Sequence, residues 1–470
     1  MSKQRKHPLL SKVRIEGMAA EGKALARVDG RVVFVPQAAP DDLVDIQVTK
    51  KRRNYMEGHV TQFHELSPHR VKPFCEHFGV CGGCKWQHIP YSMQLELKQK
   101  QVEDQLTRIG KVSLPVIQPI LGSNLTEYYR NKLEFTFSNS RWFTREEIDS
   151  DKNLAQHPVL GFHVPGMFDK IFDVERCYLQ SEPSNSIRLT TRDFAIENGY
   201  SFYDIRSKVG FLRNLTIRTA STGDTMVILS VVTNDEPKID ALMSHLMAKF
   251  PMITSLMYVV NPKANDTIND LQVELYAGKD YIMESIDGIN YKVGAKSFFQ
   301  TNTRQAQNLF RIAKDFAQLK GDEIVYDLYT GIGTIANYIA RSCAKVVGIE
   351  YVQEAIDDAI ENSRLNGIYN THYFAGDIKE VLSNEFIEEQ GAPTVVIIDP
   401  PRAGVHHNVL KKLIEAIPER IVYVSCNPAT QARDINLLND YYQVTRVQPV
   451  DMFPHTHHVE NVLLLERINR

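Results

Sequence analysis

The 470-residue chain reads as an α/β protein, with a doubly wound C-terminal domain preceded by a small all-β module and a central α+β unit. Three observations predict this. From about residue 297 onward, apolar β-branched runs alternate with helix-like stretches, the rhythm of a parallel sheet covered on both faces. Glu323-Ile324-Val325-Tyr326-Asp327-Leu328-Tyr329-Thr330-Gly331-Ile332-Gly333-Thr334 is a strand entering a Gly-x-Gly turn that opens a helix. Two later strands end on reactive side chains: Thr394 to Ile398 delivers Asp399 into Pro400-Pro401-Arg402, and Val422 to Ser425 delivers Cys426 into Asn427-Pro428. Ligands of doubly wound sheets sit at the carboxyl ends of the strands, so the three motifs are expected to share one cleft.

The bulk composition, 43% hydrophobic and 24% charged, is that of a soluble globular protein and excludes a disordered or collagen-like chain. No apolar run approaches the eighteen or so residues that span a bilayer, and Met1 to Pro8 lacks the apolar core of a signal peptide. A cytoplasmic location without membrane attachment is therefore expected, and no obligate protein partner is inferred. The net charge of −3 is unevenly spread. Residues 1–110 hold 18 Lys+Arg against 12 Asp+Glu, a net of +6, which leaves −9 on the remainder. A basic front on an acidic body suits a nucleic-acid-binding appendage, and equally a solvated terminus.

Taken in order, residues 1–62 read as the all-β module. Val28-Asp29-Gly30-Arg31 is an Asp-Gly hairpin turn, Val44-Asp45-Ile46-Gln47-Val48 alternates as a half-buried strand, and Lys50-Lys51-Arg52-Arg53-Asn54-Tyr55 is a basic run ending in an aromatic. A compact barrel of the OB type with cationic loops would suit RNA phosphates, although the basic run alone reads as a solvated loop. The stretch 63–290 is the central unit. It opens on Cys75-x5-Cys81-x2-Cys84 in a Gly-rich loop, where several thiolates can face one centre. Cys177 is the remaining cysteine outside the C-terminal domain. Four thiolates would hold either zinc or an iron–sulfur cluster, and spacing does not choose between them. Residues 91–109 suggest an amphipathic helix. Tyr128 to Phe137 mixes aromatics and cations in strand alternation, with Arg130 and Lys132 as candidate phosphate grips, and short strand-like runs continue at 212–218, 226–232, 255–260 and 271–276.

In the C-terminal domain, 291–470, a helix is expected over 303–319 and strands at 324–328, 346–349, 372–375, 395–398, 421–424 and 459–465. The Gly331-x-Gly333 turn admits NAD, FAD and S-adenosylmethionine (SAM) alike. Glu350, about twenty residues on at the next strand end, is placed to accept ribose hydroxyls, and Asp377, one strand later, to meet an adenine. No Gly-Lys-Ser/Thr follows the glycines, so a P-loop is excluded. NAD stays open on this motif; Asp399 and Cys426 weigh against it, because a dehydrogenase rarely needs a nucleophilic cysteine there. Methylating an unactivated carbon does need one. Carbon 5 of uracil is a poor nucleophile until a thiolate adds at carbon 6 and makes the ring an enolate. The carbon 5 proton must then leave to a base, for which Glu460 on the last strand is the candidate. His455, His457 and His458 crowd the same turn and read as loop residues rather than metal ligands.

Ser425-Cys426-Asn427-Pro428, Asp399-Pro400-Pro401-Arg402-Ala403-Gly404, His458-Val459-Glu460, Phe298-Phe299-Gln300-x-Asn302, Tyr129-Arg130-Asn131-Lys132-x-Glu134-Phe135 and the cysteine loop together resemble the RNA 5-methyluridine methyltransferases, notably the bacterial 23S ribosomal RNA uracil-C5 enzymes, along nearly the whole chain. The resemblance implies an N-terminal TRAM barrel at about 10–62 and SAM as methyl donor. It makes Cys426 the nucleophile and Glu460 the base. It places Gln300, Tyr329, Glu350 and Asp399 at the SAM and uracil pocket with Asp377 as a further contact, and implies a [4Fe-4S] cluster on Cys75, Cys81, Cys84 and Cys177. Many members have Asn where this chain has Thr334, a contact a threonine can replace. The expected partner is RNA, 23S rRNA ahead of tRNA. Rival readings are a tRNA substrate, a non-catalytic RNA-binding protein, against which Cys426, Glu460 and Asp399 argue, and an iron–sulfur oxidoreductase, including radical SAM, whose usual C-x3-C-x2-C differs from this loop.

Overall fold

The computed structural model describes residues 7–150 and 154–468; residues 1–6 of the basic leading segment lie outside the described residues. Residues 9–65 build a six-stranded sheet around Val13, Ile15, Val33, Val35, Val44, Ile46 and Val48. The Asp29-Gly30 turn forms as expected. Both residues have positive φ (50° and 72°), the type I′ twist that matches right-handed strands. The basic run forms the tip of the hairpin between Leu43–Lys51 and Tyr55–Glu65, with Lys51, Arg52 and Arg53 exposed and Lys50 paired with Glu57 at 2.7 Å.

A second sheet of seven strands carries the central unit. Its pairs are antiparallel except Thr225–Val231 with Ser255–Val260, and these parallel strands are joined by the helix Glu236–Lys249, as a parallel crossover requires. One face packs Phe135, Leu215, Ile217, Val227 and Leu229 onto that helix and onto Ser184–Glu197. The other face turns Met226, Ile228, Met257 and Val259 toward the C-terminal domain, in one continuous core with Ile335, Ile397 and Val424.

The third sheet is the doubly wound one. Its strands, numbered here from the start of this domain, are β1 (Ile324–Leu328), β2 (Lys345–Glu350), β3 (Thr371–Ala375), β4 (Val395–Ile398), β5 (Arg420–Ser425), β6 (Tyr442–Val450) and β7 (Glu460–Arg467). They lie in the order β3-β2-β1-β4-β5-β7-β6. The first five are parallel, and β7 runs antiparallel between β5 and β6. The sequence reading missed β6. Gln443, Thr445, Arg446, Gln448 and Pro449 break its apolar run, and an edge strand with a register shift between Val444 and Arg446 tolerates them.

Two stretches assigned to 63–290 by chain order belong in space to the C-terminal domain. The hairpin of Tyr281–Ile286 and Ile289–Gly294 buries Ile282, Ile286, Tyr291 and Val293 among its core residues. The helix α1 (Tyr91–Gln105) lies against β6, and the chain after it runs along that strand, with Gln118 N–H on Val447 O (3.0 Å) and Leu121 N–H on Pro449 O (2.9 Å). The expectation that α1 is amphipathic is also corrected. Its buried residues are Gln94, Lys98 and Val102, because Gln94 and Lys98 serve polar groups of a loop while Val102 alone of the three enters the apolar core.

Candidate active site

The carboxyl ends of β1, β2, β4, β5 and the start of β7 converge. Asp399 follows β4, Cys426 follows β5, and Glu460 opens β7, where Asn461 faces Ser425 across the pair. Their mutual influence shows how close they lie. Burial, then Asp399, pushes the Glu460 carboxyl up to about 8, with Arg402 partly opposing. Burial and Asp327 push Asp399 up to about 7. The Cys426 thiol is raised to about 11 by burial, Glu460 and Asp399, and again Arg402 opposes. Two carboxyls and a thiol therefore share one poorly hydrated place with one cation beside them. Such a group can hold and pass protons near neutral pH.

The loops bearing Asp399 and Cys426 are braced against each other. The Asn427 side-chain amide and the Thr430 hydroxyl donate to Arg402 O at 3.1 and 3.3 Å. Arg433 donates to Ala403 O (2.9 Å), and Asp434 accepts from Val405 N–H (2.8 Å) and Tyr423 OH (2.7 Å). The Asn-Pro after Cys426 also starts the next helix, with the Asn427 side chain accepting from Ala429 N–H, the ordinary capping use of that residue type.

The expected cofactor contacts lie on the neighbouring strand ends. Gly331 has φ 56° and a Cβ built on it would meet nothing within 4 Å, so a ligand can approach the backbone there. Its N–H donates to Glu350 at 3.2 Å, and Glu350 also accepts from Tyr351 and Val352 N–H. Tyr329 takes a left-handed φ of 65°, a costly conformation for a non-glycine residue that accumulates at functional sites. Its phenol is raised to about 12 by burial, with Asp377 and Glu350 among its charged neighbours. Asp377 caps the short helix Ile378–Val381 and pairs with Lys379 at 3.0 Å. Gln300 lies on the segment before the helix Thr303–Ala317, where its carbonyl accepts from the Asn131 side chain at 2.9 Å.

Asp327 was not singled out by the sequence. It is buried, accepts from Thr330 OH (2.6 Å) and Ala336 N–H (3.0 Å), and is pushed up to about 7 by burial. It couples electrostatically to Glu350 on one side and to Asp399 on the other, joining the two halves of the cleft. Its signal was available, as a carboxylate four residues before the glycine turn on an otherwise apolar strand.

The four cysteines of the central unit meet as well. Cys75, Cys81, Cys84 and Cys177 line a single cavity of about 30 Å³. Burial raises the Cys81 and Cys84 thiols to about 12, with the other cysteines adding to the rise. Cys343 is unrelated, donating to Ile339 and Ala340 carbonyls inside its own helix turn. Among the described residues no three His, Cys, Asp or Glu side chains are grouped as a site for one metal ion. None of the helices searched among them is long and apolar enough to cross a membrane.

Residues 271–468 match the family model described as tRNA (uracil-5-)-methyltransferase, and residues 11–61 match the TRAM domain. An uncharacterized RNA methyltransferase of Bacteroides thetaiotaomicron is 56% identical over 96% of this chain and all of its own length. The chain belongs to the RNA uracil-5 methyltransferase family. A relative in Porphyromonas gingivalis, also described as an uncharacterized RNA methyltransferase, is 55% identical over 96% of this chain and 99% of its own. Among solved structures, the tRNA (uracil-54, C5)-methyltransferase of Pyrococcus abyssi in complex with S-adenosyl-L-homocysteine superposes with a TM-score of 0.74 at 28% identity, over 97% of this chain and all of that one. Within this family, the doubly wound sheet is the methyltransferase domain and the six-stranded sheet the TRAM domain.

Proposed function

We propose that this chain transfers a methyl group from SAM to carbon 5 of a uridine in 23S rRNA through a covalent adduct on Cys426. The observation that carries the reading is the meeting of Cys426, Asp399 and Glu460 at the carboxyl ends of β4, β5 and β7. SAM supplies an electrophilic methyl on a sulfonium; the open Gly331 turn, Glu350, Tyr329 and Asp377 fit its adenosyl part, while Gln300 and Asp399 face the reacting end in this reading. Cys426 gives up its proton to solvent, and the thiolate sulfur adds to carbon 6 of the uracil, which moves the 5,6 electron pair into an enolate reactive at carbon 5. Arg402 favours the thiolate against the surrounding carboxyls. After methylation, ionised Glu460 removes the carbon 5 proton. That electron pair forms the 5,6 double bond, and the carbon–sulfur pair returns to Cys426 as thiolate.

The target base must leave its stack to reach this depth, at a cost of a few kcal/mol that is least in a single-stranded loop. Arg130, stacked over Phe453 at 5.1 Å, and the exposed cations of the N-terminal hairpin are the candidate grips on the strand. The four cysteines fit a [4Fe-4S] cluster better than one zinc ion. They line a cavity rather than converge on a point, and desolvation raises each of the four thiols, so they can ionise together only beside added positive charge. The chemistry at uracil asks nothing of that cluster, so its place here is to order the loop that holds it. A second reading, a tRNA uridine, is favoured by the described activity of the Pyrococcus abyssi protein. Mapping 5-methyluridine in ribosomal and transfer RNA from a strain lacking the gene decides: loss from 23S rRNA alone supports the first reading, and loss from tRNA the second.

A further inference from the structure

Glu460 sits at the end of a nine-residue turn, 451–459, that joins β6 to β7. This turn is held by residues more than three hundred positions earlier in the chain. Lys98 of α1 donates to Asp451 Oδ1 at 2.6 Å and to Phe453 O at 3.1 Å, and Tyr91 OH donates to Asp451 Oδ2 at 2.7 Å. Lys98 and Asp451 are both 0% exposed. Gln94, also on α1, accepts from His455 N–H at 2.8 Å, and its amide nitrogen lies 3.2 Å from His455 Nδ1. The same nitrogen donates to Trp86 O and Ile89 O at 3.0 and 3.1 Å. Lys85 and Trp86, the residues after Cys84, donate their N–H groups to His455 O at 2.8 and 3.0 Å.

His455 is thus held through its N–H and its carbonyl, in a left-handed backbone conformation with φ 63°. A non-glycine residue persists there only where its surroundings over-determine it. None of these bonds reaches Cys426, whose loop is braced by Asn427, Thr430, Arg433 and Asp434 instead. The two reacting groups share the β5–β7 pairing of Ser425 with Asn461, but the turn that leads into Glu460 is held by residues that do not brace the Cys426 loop.

We propose that Gln94 and Lys98 of α1 are positioning residues for removal of the carbon 5 proton, fixing the 451–459 turn so that Glu460 meets that proton while adduct formation at Cys426 proceeds without them. The proposal rests on the reading of Glu460 as the base. In the step concerned the C5–H bond breaks, the proton passes to the Glu460 carboxylate, the freed pair becomes the 5,6 double bond, and the C6–S bond returns its pair to sulfur. A misplaced Glu460 slows this step and leaves methylated RNA attached to the protein.

The test uses the full-length protein, SAM labelled in its methyl group, and total RNA from a strain lacking the gene. It reads the share of labelled RNA that stays with protein through denaturation against the share released. Glu460→Gln is the reference and retains most of the label. Gln94→Met keeps the helix and the volume but removes the joint, and is expected to raise the retained share about tenfold over wild type at comparable labelling. Tyr91→Phe removes a single hydroxyl and is expected to raise it a few-fold. If Gln94→Met melts below the assay temperature, Tyr91→Phe decides in its place. A loss of total labelling with an unchanged retained share overturns the proposal, since a merely structural defect lowers both steps together. If Glu460→Gln itself retains nothing, the assignment of the base fails, a result distinct from failure of the positioning role.

Discussion

The two ends of the 451–459 turn carry buried acids treated in opposite ways. At one end Asp451 is 0% exposed and fully served, with Lys98, Tyr91 and the Phe453 N–H on its oxygens. At the other, Glu460 is buried beside another carboxyl, raised to about 8 by burial first and Asp399 second, with Arg402 its one opposing influence. A carboxylate kept for structure is matched by donors, because a buried charge without partners is expensive. One left poorly matched can change state near neutral pH, as the proposed base must.

The first way to break this comparison is to remove the nucleophile proposed beside Glu460. Cys426→Ala is expected to lower methylation on the order of 10^4-fold or more and to abolish the denaturation-resistant complex with RNA carrying 5-fluorouridine, whose fluorine cannot leave as a cation. A complex formed by the alanine variant would move the nucleophile elsewhere. Glu460→Gln is expected to slow release about 10²- to 10⁴-fold while leaving adduct formation measurable by gel shift after denaturation.

The same substitution sharpens the comparison through stability. The folded-state carboxyl of Glu460 lies above its ordinary value of 4.5, so the folded protein binds its proton more tightly than the unfolded chain does. Its stabilising share is complete below about 4.5 and is lost as pH rises through about 8. A neutral amide escapes that loss. Glu460→Gln should therefore melt higher than wild type at pH 8 by several degrees and nearly equal to it at pH 4.5, and a gain at low pH instead would contradict the assignment of its burial. Proton removal in the wild type should likewise quicken as pH rises toward 8, as the ionised fraction of Glu460 grows.

At the paired end the expectation reverses. Lys98→Met strands a buried carboxylate and should cost about 3–5 kcal/mol in denaturant unfolding, most of which the double change with Asp451→Asn recovers. Equal losses in the single and double variants would show that the pair is not energetically coupled. The smallest effect lies farthest away. Replacing Lys51, Arg52 and Arg53 with alanine at the hairpin tip should weaken RNA binding roughly tenfold and flatten its salt dependence, with kcat unchanged.

What the sequence disclosed follows from range. Asp399, Cys426 and Glu460 were legible because each terminates or opens an apolar run, so a local pattern announced its place at one end of the strands. The cysteine loop announced itself by spacing, and Cys177 only by being left over. Gln94 and Lys98 gave no such sign. A polar residue on a helix reads as solvent-facing unless its partner is known, and the partner here lies in a turn whose backbone needs cannot be seen from composition. Asp327 and β6 were missed for the opposite reason, the acid hidden in an apolar strand and the strand broken by polar residues at an edge.

Lys98 and its carboxylate are separated by 353 residues, which sets a waiting time during synthesis. At ordinary elongation speeds the amine is made roughly 20–70 s before Asp451 exists to receive it. A nascent chain therefore holds Lys98 uncompensated on the side of α1 meant for the interior until Asp451 emerges, even where Val102 and Leu106 can already meet Ala432 and Ile435. The clasp therefore closes only as β7 is being made, which ties the docking of Lys98 to the completion of the sheet.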